Sequence, residues 1–318
     1  MNAVERLHHY AAELQVEAPA VIPDNRPADS WPSSGAIKIR NLEMRYRPEL
    51  PLVLRNLSLD IQGGEKIGVV GRTGAGKSSI MMALFRLVEP SNGTMEIDGV
   101  DICKLGLFDL RTRLAIIPQD PILFSGTIRS NLDPFNKRTD QELWEVLERS
   151  DLKTYVASCE GGLDSQVTEF GENLSVGQRQ LLCLARAMLT HARVIIMDEA
   201  TASVDVATDM MLQKAIRVDF AQSTVLTIAH RLNTVIDYSR VLVLDHGEIK
   251  EFDTPANLLS RPDSVFSSMV DETGPTNAAL LRSLANAAAA GNAIAVEQVL
   301  ATSKVNSVEP SGAAVSKE

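Results

Sequence analysis

Apolar and polar residues alternate through "AIKIRNLEMRY", from Ala36 to Tyr46, and again through "VLRNLSLDIQ", from Val53 to Gln62. A period of two sends successive side chains to opposite faces, so both stretches are predicted as half-buried antiparallel strands. "EKIGVV" (Glu65–Val70) is a short unbroken apolar run that enters a glycine loop and then a helical pattern, "KSSIMMALFRLV", from Lys77 to Val88. That order is expected of a strand-loop-helix unit in a parallel sheet buried on both faces. "LAIIP", "RVIIMD", "STVLTIA" and "RVLVLD" are further short runs separated by helix-length segments, which makes the class α/β. Between "IIPQD" and "LSVGQ" the pattern turns helical, in "DQELWEVLERS" and "LKTYVAS", and a small helical subdomain is expected there, over about 120–190.

The two ends read differently. Val4, Leu7, Ala11 and Leu14 recur at helical spacing, and Pro19, Pro23, Pro27 and Pro32 then exclude helix interior, so 1–35 is predicted as an amphipathic helix and an extended linker. The helix is either a solvated leader or a stripe packing on something outside the chain. The main α/β domain is placed at 36–272. In the tail, 273–318, "NAALLRSLANAAAAGNAIAVEQVLA" is alanine-rich and helix-prone, either docked or free, and the last polar residues have little to bury.

Composition narrows the functions available. A net charge of -10 argues against a duplex-DNA partner, and no nucleic acid is expected. Cys103, Cys159 and Cys183 are odd in number and far apart, which suggests neither a disulfide framework nor a zinc site and fits a reducing compartment. No apolar run approaches the ~20 residues of a membrane-spanning helix.

"GRTGAGKS" satisfies G-x-x-x-x-G-K-[ST] between a strand and a helix. Gly71, Arg72, Thr73, Gly74, Ala75, Gly76, Lys77, Ser78 and Ser79 are therefore expected to cradle phosphate, with Lys77 reaching the β- and γ-phosphates and Ser78 ligating Mg²⁺. "RVIIMDE" ends a buried strand in two carboxylates. Asp198 is assigned to the metal, and Glu199 to polarising an attacking water. Gln119, in "IIPQDP", offers an amide to Mg²⁺ or water, and His230, in "LTIAHRL", stands where an imidazole meets a γ-phosphate or simply caps the core. Tyr46 either stacks on an adenine or packs at a strand end. "GENLSVGQRQ" reads as a second anion-binding helix start, over about Val176 to Leu189.

The order "GRTGAGKS", "PQD", "LSVGQRQ", "VIIMDEATASVD" and "IAHRL" resembles the nucleotide-binding cassette of ABC transporters from about Ser30 to Asp271. "ERL", "SWP", "RYRPELPLVLRNLSLDI", "LFSGTIRSNLDPF" and the glutamate after "IIMD" resemble the second cassette of class C, multidrug-resistance-associated transporters, particularly fungal drug-export members. The resemblance implies a P-loop NTPase fold, with a RecA-like parallel sheet, an antiparallel β subdomain and an inserted helical signature subdomain. It implies ATP and Mg²⁺ as cofactors and head-to-tail pairing with a second cassette, whose nucleotide Ser175, Gly177 and Gln178 would contact. In that pattern Tyr46 stacks on adenine, Glu199 is the general base, His230 braces the γ-phosphate, Asp205 communicates across the pair, and Gln119 watches Mg²⁺ and a transmembrane partner. Val176 departs from the broad pattern, which has glycine there, and its β-branched side chain restricts the loop.

The implied activity is ATP hydrolysis that drives export of a small molecule, a drug, conjugate or organic anion. It would take place at the cytoplasmic face of a plasma or vacuolar membrane, through a transmembrane domain absent from this chain. On that resemblance the chain is expected to be a fragment, truncated product or split subunit, and the helix over 4–14 is the missing domain's contact. The rivals are a non-transport ABC ATPase and a binding-only remnant. Against a chromosome clamp, 119–174 shows no sustained heptads.

Overall fold

A computed structural model describes residues 3–12, 16–198, 206–229 and 231–291. It runs α1 (Ala3–Ala12), β1 (Ile37–Met44), β2 (Leu54–Ile61), β3 (Lys66–Gly71), α2 (Lys77–Leu84), β4 (Asn92–Ile97), β5 (Val100–Asp101), α3 (Leu107–Arg111) and β6 (Leu114–Ile117). β7 (Gly126–Thr127), α4 (Ile128–Leu132), α5 (Asp140–Arg149), α6 (Lys153–Ser158), β8 (Gln166–Val167) and α7 (Val176–Thr190) form the helical insertion. β9 (Val194–Asp198), α8 (Val206–Arg217), β10 (Thr224–Ile228), β11 (Arg240–Asp245), β12 (Glu248–Asp253), α9 (Pro255–Ser260), α10 (Val265–Asp271) and α11 (Pro275–Ala289) follow.

The main sheet has the order β12-β11-β3-β10-β9-β6, parallel except for β12, and a separate antiparallel sheet has the order β2-β1-β4-β5. Because side chains alternate across a strand, the central strands feed two cores. Val194 and Ile196 of β9 enter the core shared with the antiparallel sheet and α2, while Ile195 and Met197 enter the core shared with α7 and α8. The expected α/β class and the two antiparallel strands are found. The hairpin partners β4 and β5 and the outer strand β12 had no clear alternation and were not anticipated.

The helix expected to run to Val88 stops at Leu84. Arg86 takes φ 49, and its guanidinium donates to the carbonyls of Ile102 (3.0 Å) and Leu105 (2.6 Å), so a tertiary contact overrides the helical periodicity.

The Pro-rich segment, expected to be an extended linker, makes a 3₁₀ turn at Pro23–Asn25, and 16–36 is strapped along the body. The carbonyls of Pro19 and Ala20 accept from the N–H groups of Leu107 (3.0 Å) and Phe108 (2.8 Å), two of the donors that α3 leaves unpaired at its start. Arg26 forks onto the buried Asp109 (2.8 and 3.2 Å), and Trp31 Nε1 donates to the Ile97 carbonyl (2.8 Å). Asp98 then accepts from the backbone N–H of Ser33, Ser34, Gly35 and Ala36 and from Ser34 Oγ.

At the other end α11 docks on α9 and α10, burying Ala278, Leu281, Leu284 and Ala285, with Arg282 donating to Leu259 O, Ser267 Oγ and Asp271. Residues 292–318 lie outside the described residues. No described helix is long and apolar enough to cross a membrane.

Candidate functional site

The glycine loop leaves β3 and enters α2 through Gly76, whose φ of 101 a side chain would strain. The loop is held from behind: Gly247 N–H, in the β11–β12 turn, donates to Ala75 O (3.0 Å), and Ala75 N–H donates to Arg72 O (3.1 Å). Its front is open, since a Cβ built on Gly74 meets nothing within 4 Å. Lys77 is 7% exposed and its Nζ donates to the carbonyls of Gly71 (2.8 Å) and Arg72 (3.2 Å), which aims the ammonium along the inside of the loop. Ser78 is half-buried at the first turn of α2. Tyr46 reaches this loop, its hydroxyl 2.9 Å from Ser79 Oγ.

The other candidates arrive by strand register. Val69 of β3 pairs with Ile228 of β10, and Ile228 pairs with Asp198 of β9, so Asp198 stands two strands from the loop at the same edge. Ile117 of β6 pairs with Met197, and Gln119 follows two residues on, exposed. The carboxyl ends of parallel strands thus bring Gly71–Ser79, Asp198 and Gln119 to one edge of the sheet, where an open α/β fold binds its ligand.

The second anion-type motif starts α7. Ser175 Oγ accepts from Gln178 N–H (3.1 Å) and Gln178 Oε1 accepts from Ser175 N–H (2.9 Å), a reciprocal cap that explains why a helix begins here. Val176 is 40% exposed beside it and Gly177 is buried. Arg179 donates to the carbonyls of Gly171 (3.3 Å) and Leu174 (3.0 Å), fixing the preceding loop.

Comparison with known proteins decides what this arrangement is. Residues 54–202 match the family model described as ABC transporter. The chain is 58% identical over 287 residues to ABC transporter C family member 3 of Dictyostelium discoideum, covering 90% of this chain and 20% of that protein. It is 54% identical over 272 residues to human ATP-binding cassette sub-family C member 3, covering 86% of this chain and 18% of that protein. It is a class C ABC transporter cassette. The fold agrees: a bacterial Atm1-family ABC exporter with ATP bound superposes with a TM-score of 0.74 at 29% identity, over 85% of this chain and 47% of that one. The cassette spans about a fifth of the length of the curated relatives it matches.

Within the cassette, the structure gathers Tyr46, Gly71–Ser79, Gln119 and Asp198 and places Ser175, Gly177 and Gln178 together at a separate helix start. Glu199, Asp205 and His230 lie outside the described residues. Two side chains the motifs did not single out tie α7 to the loop that carries Gln119. Gln180 Nε2 donates to Pro118 O (3.1 Å), and Arg186 donates to Ile122 O (2.7 Å) and to both oxygens of Asn131 (2.5 Å each). Gln180 was detectable as the one polar residue in the apolar row Gly177, Gln180, Leu181, Leu184, Met188 of α7.

Proposed function

We propose that the cassette binds MgATP on its own glycine loop, completes that site with the signature of a second cassette, and hydrolyses the nucleotide to drive export of a small molecule through a membrane domain. The observation that carries this reading is the shared sheet edge: a phosphate loop with a buried lysine, a strand-end carboxylate and a loop amide converge at the carboxyl ends of β3, β9 and β6. The open front at Gly74 and the first turn of α2 suit a polyphosphate, and the Ser78 hydroxyl, Asp198 carboxylate and Gln119 amide are the hard oxygen donors Mg²⁺ prefers.

In this reading Lys77 and the loop amides hold the β- and γ-phosphates and Tyr46 meets the adenine. Glu199 orients and deprotonates the attacking water, His230 braces the γ-phosphate and Asp205 reports across the pair. Mg²⁺, when bound, neutralises charge on the phosphate oxygens. Ser175, Gly177 and Gln178 serve the second cassette's nucleotide, as the family resemblance implies. A transmembrane partner on the cytoplasmic side of its membrane would cover the exposed Ile122, Phe124 and Phe135, and the exposed stripe Val4, Leu7 and Tyr10 of α1 would continue into it.

The test is Mg²⁺-dependent ATP turnover against protein concentration, for the native chain and for Glu199→Gln. Turnover rising faster than linearly, with the variant binding ATP but not hydrolysing it, is expected. A folded native chain that binds no ATP would overturn the reading.

A further inference from the structure

Two hairpins of the cassette turn on the same backbone and serve different ends. Asp98 and Gly99 join β4 to β5 with φ of 48 and 75, and His246 and Gly247 join β11 to β12 with φ of 47 and 78. Positive φ at both central residues is what such a two-residue turn requires, and glycine supplies the second without steric cost. A Cβ on Gly99 would meet nothing within 4 Å, so there the glycine serves its turn alone. Gly247 is buried, and a Cβ on it would stand 2.1 Å from Val53 O and 2.9 Å from Val53 C. The geometry of the turn does not account for so close an approach.

What approaches Gly247 belongs to both halves of the candidate site. Its N–H donates to Ala75 O (3.0 Å), in the glycine loop, and its carbonyl accepts from Arg55 N–H (2.8 Å), at the start of β2 in the antiparallel sheet. Gly76 lies against the same junction, since a Cβ on it would meet Leu54 Cδ2 at 3.0 Å and Val53 O at 3.3 Å. Val53 N–H donates in turn to Met44 O (2.8 Å), at the end of β1 and two residues before Tyr46. The sheet that leads to Tyr46 and the loop that leads to Lys77 therefore meet, backbone to backbone, at one residue.

We infer that Gly247 is a positioning residue for the nucleotide: it sets the register between Tyr46 and the glycine loop, so that the base and the polyphosphate of one molecule are engaged together. The inference rests on the nucleotide-binding reading above and adds to it a residue that touches neither base nor phosphate. A ligand held at two points gains from the second only when their separation matches its own. A shift of the antiparallel sheet by about an ångström spoils that match and leaves the loop able to hold phosphate.

The experiment is competition of MgATP and of MgUTP against a fluorescent ATP analogue, on the full chain, native, Arg55→Ala and Arg55→Pro, together with thermal melting without nucleotide. Both nucleotides offer the loop the same triphosphate, and the purine offers Tyr46 the larger face. Proline at 55 removes the N–H that Gly247 O accepts, near the start of an edge strand, where proline is tolerated. Arg55→Ala keeps that N–H and controls for the lost side chain. The native chain and Arg55→Ala are expected to prefer ATP by about tenfold, a fraction of the worth of one stacked base. In Arg55→Pro the preference falls below about twofold while UTP binds nearly as before. Gly247→Ala, whose Cβ drives Val53 from the turn, is expected to do the same from the other side of the contact. An unchanged preference in these variants, even with a lower melting point and weaker binding of both nucleotides, makes the junction a purely structural contact and overturns the inference. A native chain that binds both nucleotides equally also overturns it, because no base engagement then exists to position. A folded native chain that binds neither overturns the nucleotide-binding reading itself.

Discussion

Lys77 and Asp98 show how single residues divide labour between ligand and fold. Lys77 donates to two loop carbonyls, Gly71 and Arg72, acceptors that its ammonium can exchange for phosphate oxygens. Lys77→Ala is therefore expected to weaken ATP binding by about 10- to 100-fold, the worth of one or two charge-assisted hydrogen bonds, in a titration with a fluorescent ATP analogue. Asp98 serves the fold. Burial pushes its carboxyl up, but the hydrogen bonds from Ser34, Gly35 and Ala36 outweigh burial and bring it down to about 2, against an ordinary 3.8. A carboxyl lowered by folding contributes stability that is complete above its unfolded value and is lost as pH falls through the folded one, here between about pH 4 and pH 2. Asp98→Asn should cost about 2 kcal/mol near neutral pH and flatten the stability profile in that acid window, both read from urea melts. An unchanged profile would remove Asp98 from the latch.

At the level of elements, the strap and α11 are the parts whose role depends on what they lie against. Gly106 admits the strap so closely that a Cβ there would stand 2.5 Å from Ala20 O and 2.7 Å from Val21 Cα. Gly106→Ala is expected to lift Pro19 and Ala20 from the start of α3 and speed amide exchange over 16–30, with exchange in the main sheet unchanged. Leu281, fully buried on α11, is expected to cost about 2–5 kcal/mol when cut to alanine, a melting-point drop of several degrees. A change under about 0.5 kcal/mol, usual for exposed sites, would mean α11 does not dock. Periodicity foretold the strands β1, β2, β9, β10 and β11 and the helices α5, α6 and α7 because each shows its own burial pattern. It carried α2 too far because the stop at Arg86 is made by carbonyls sixteen and nineteen residues away. It left α11 open between docked and free, since an alanine-rich helix shows only a weak stripe.

At the scale of the whole molecule, the proposed function makes the site edge and the signature helix two half-sites on one chain. Dilution should therefore abolish turnover before it abolishes ATP binding, and removing Mg²⁺ with a chelator should abolish turnover at every concentration. Turnover strictly proportional to concentration would show that a single cassette suffices. The sequence by itself determined the strand and helix periods, the glycine loop with its lysine, the strand ending in Asp198 and the Ser175–Gln178 cap. Those are set by backbone sterics, charge and hydrogen bonds within a few residues. Only the tertiary structure decided that β3 lies between β10 and β11, that a Pro-rich strap supplies the carbonyls for the start of α3, and that Gln180 reaches Pro118. Each of these pairs groups 62 or more residues apart along the chain, where local pattern says nothing about which surface will stand opposite.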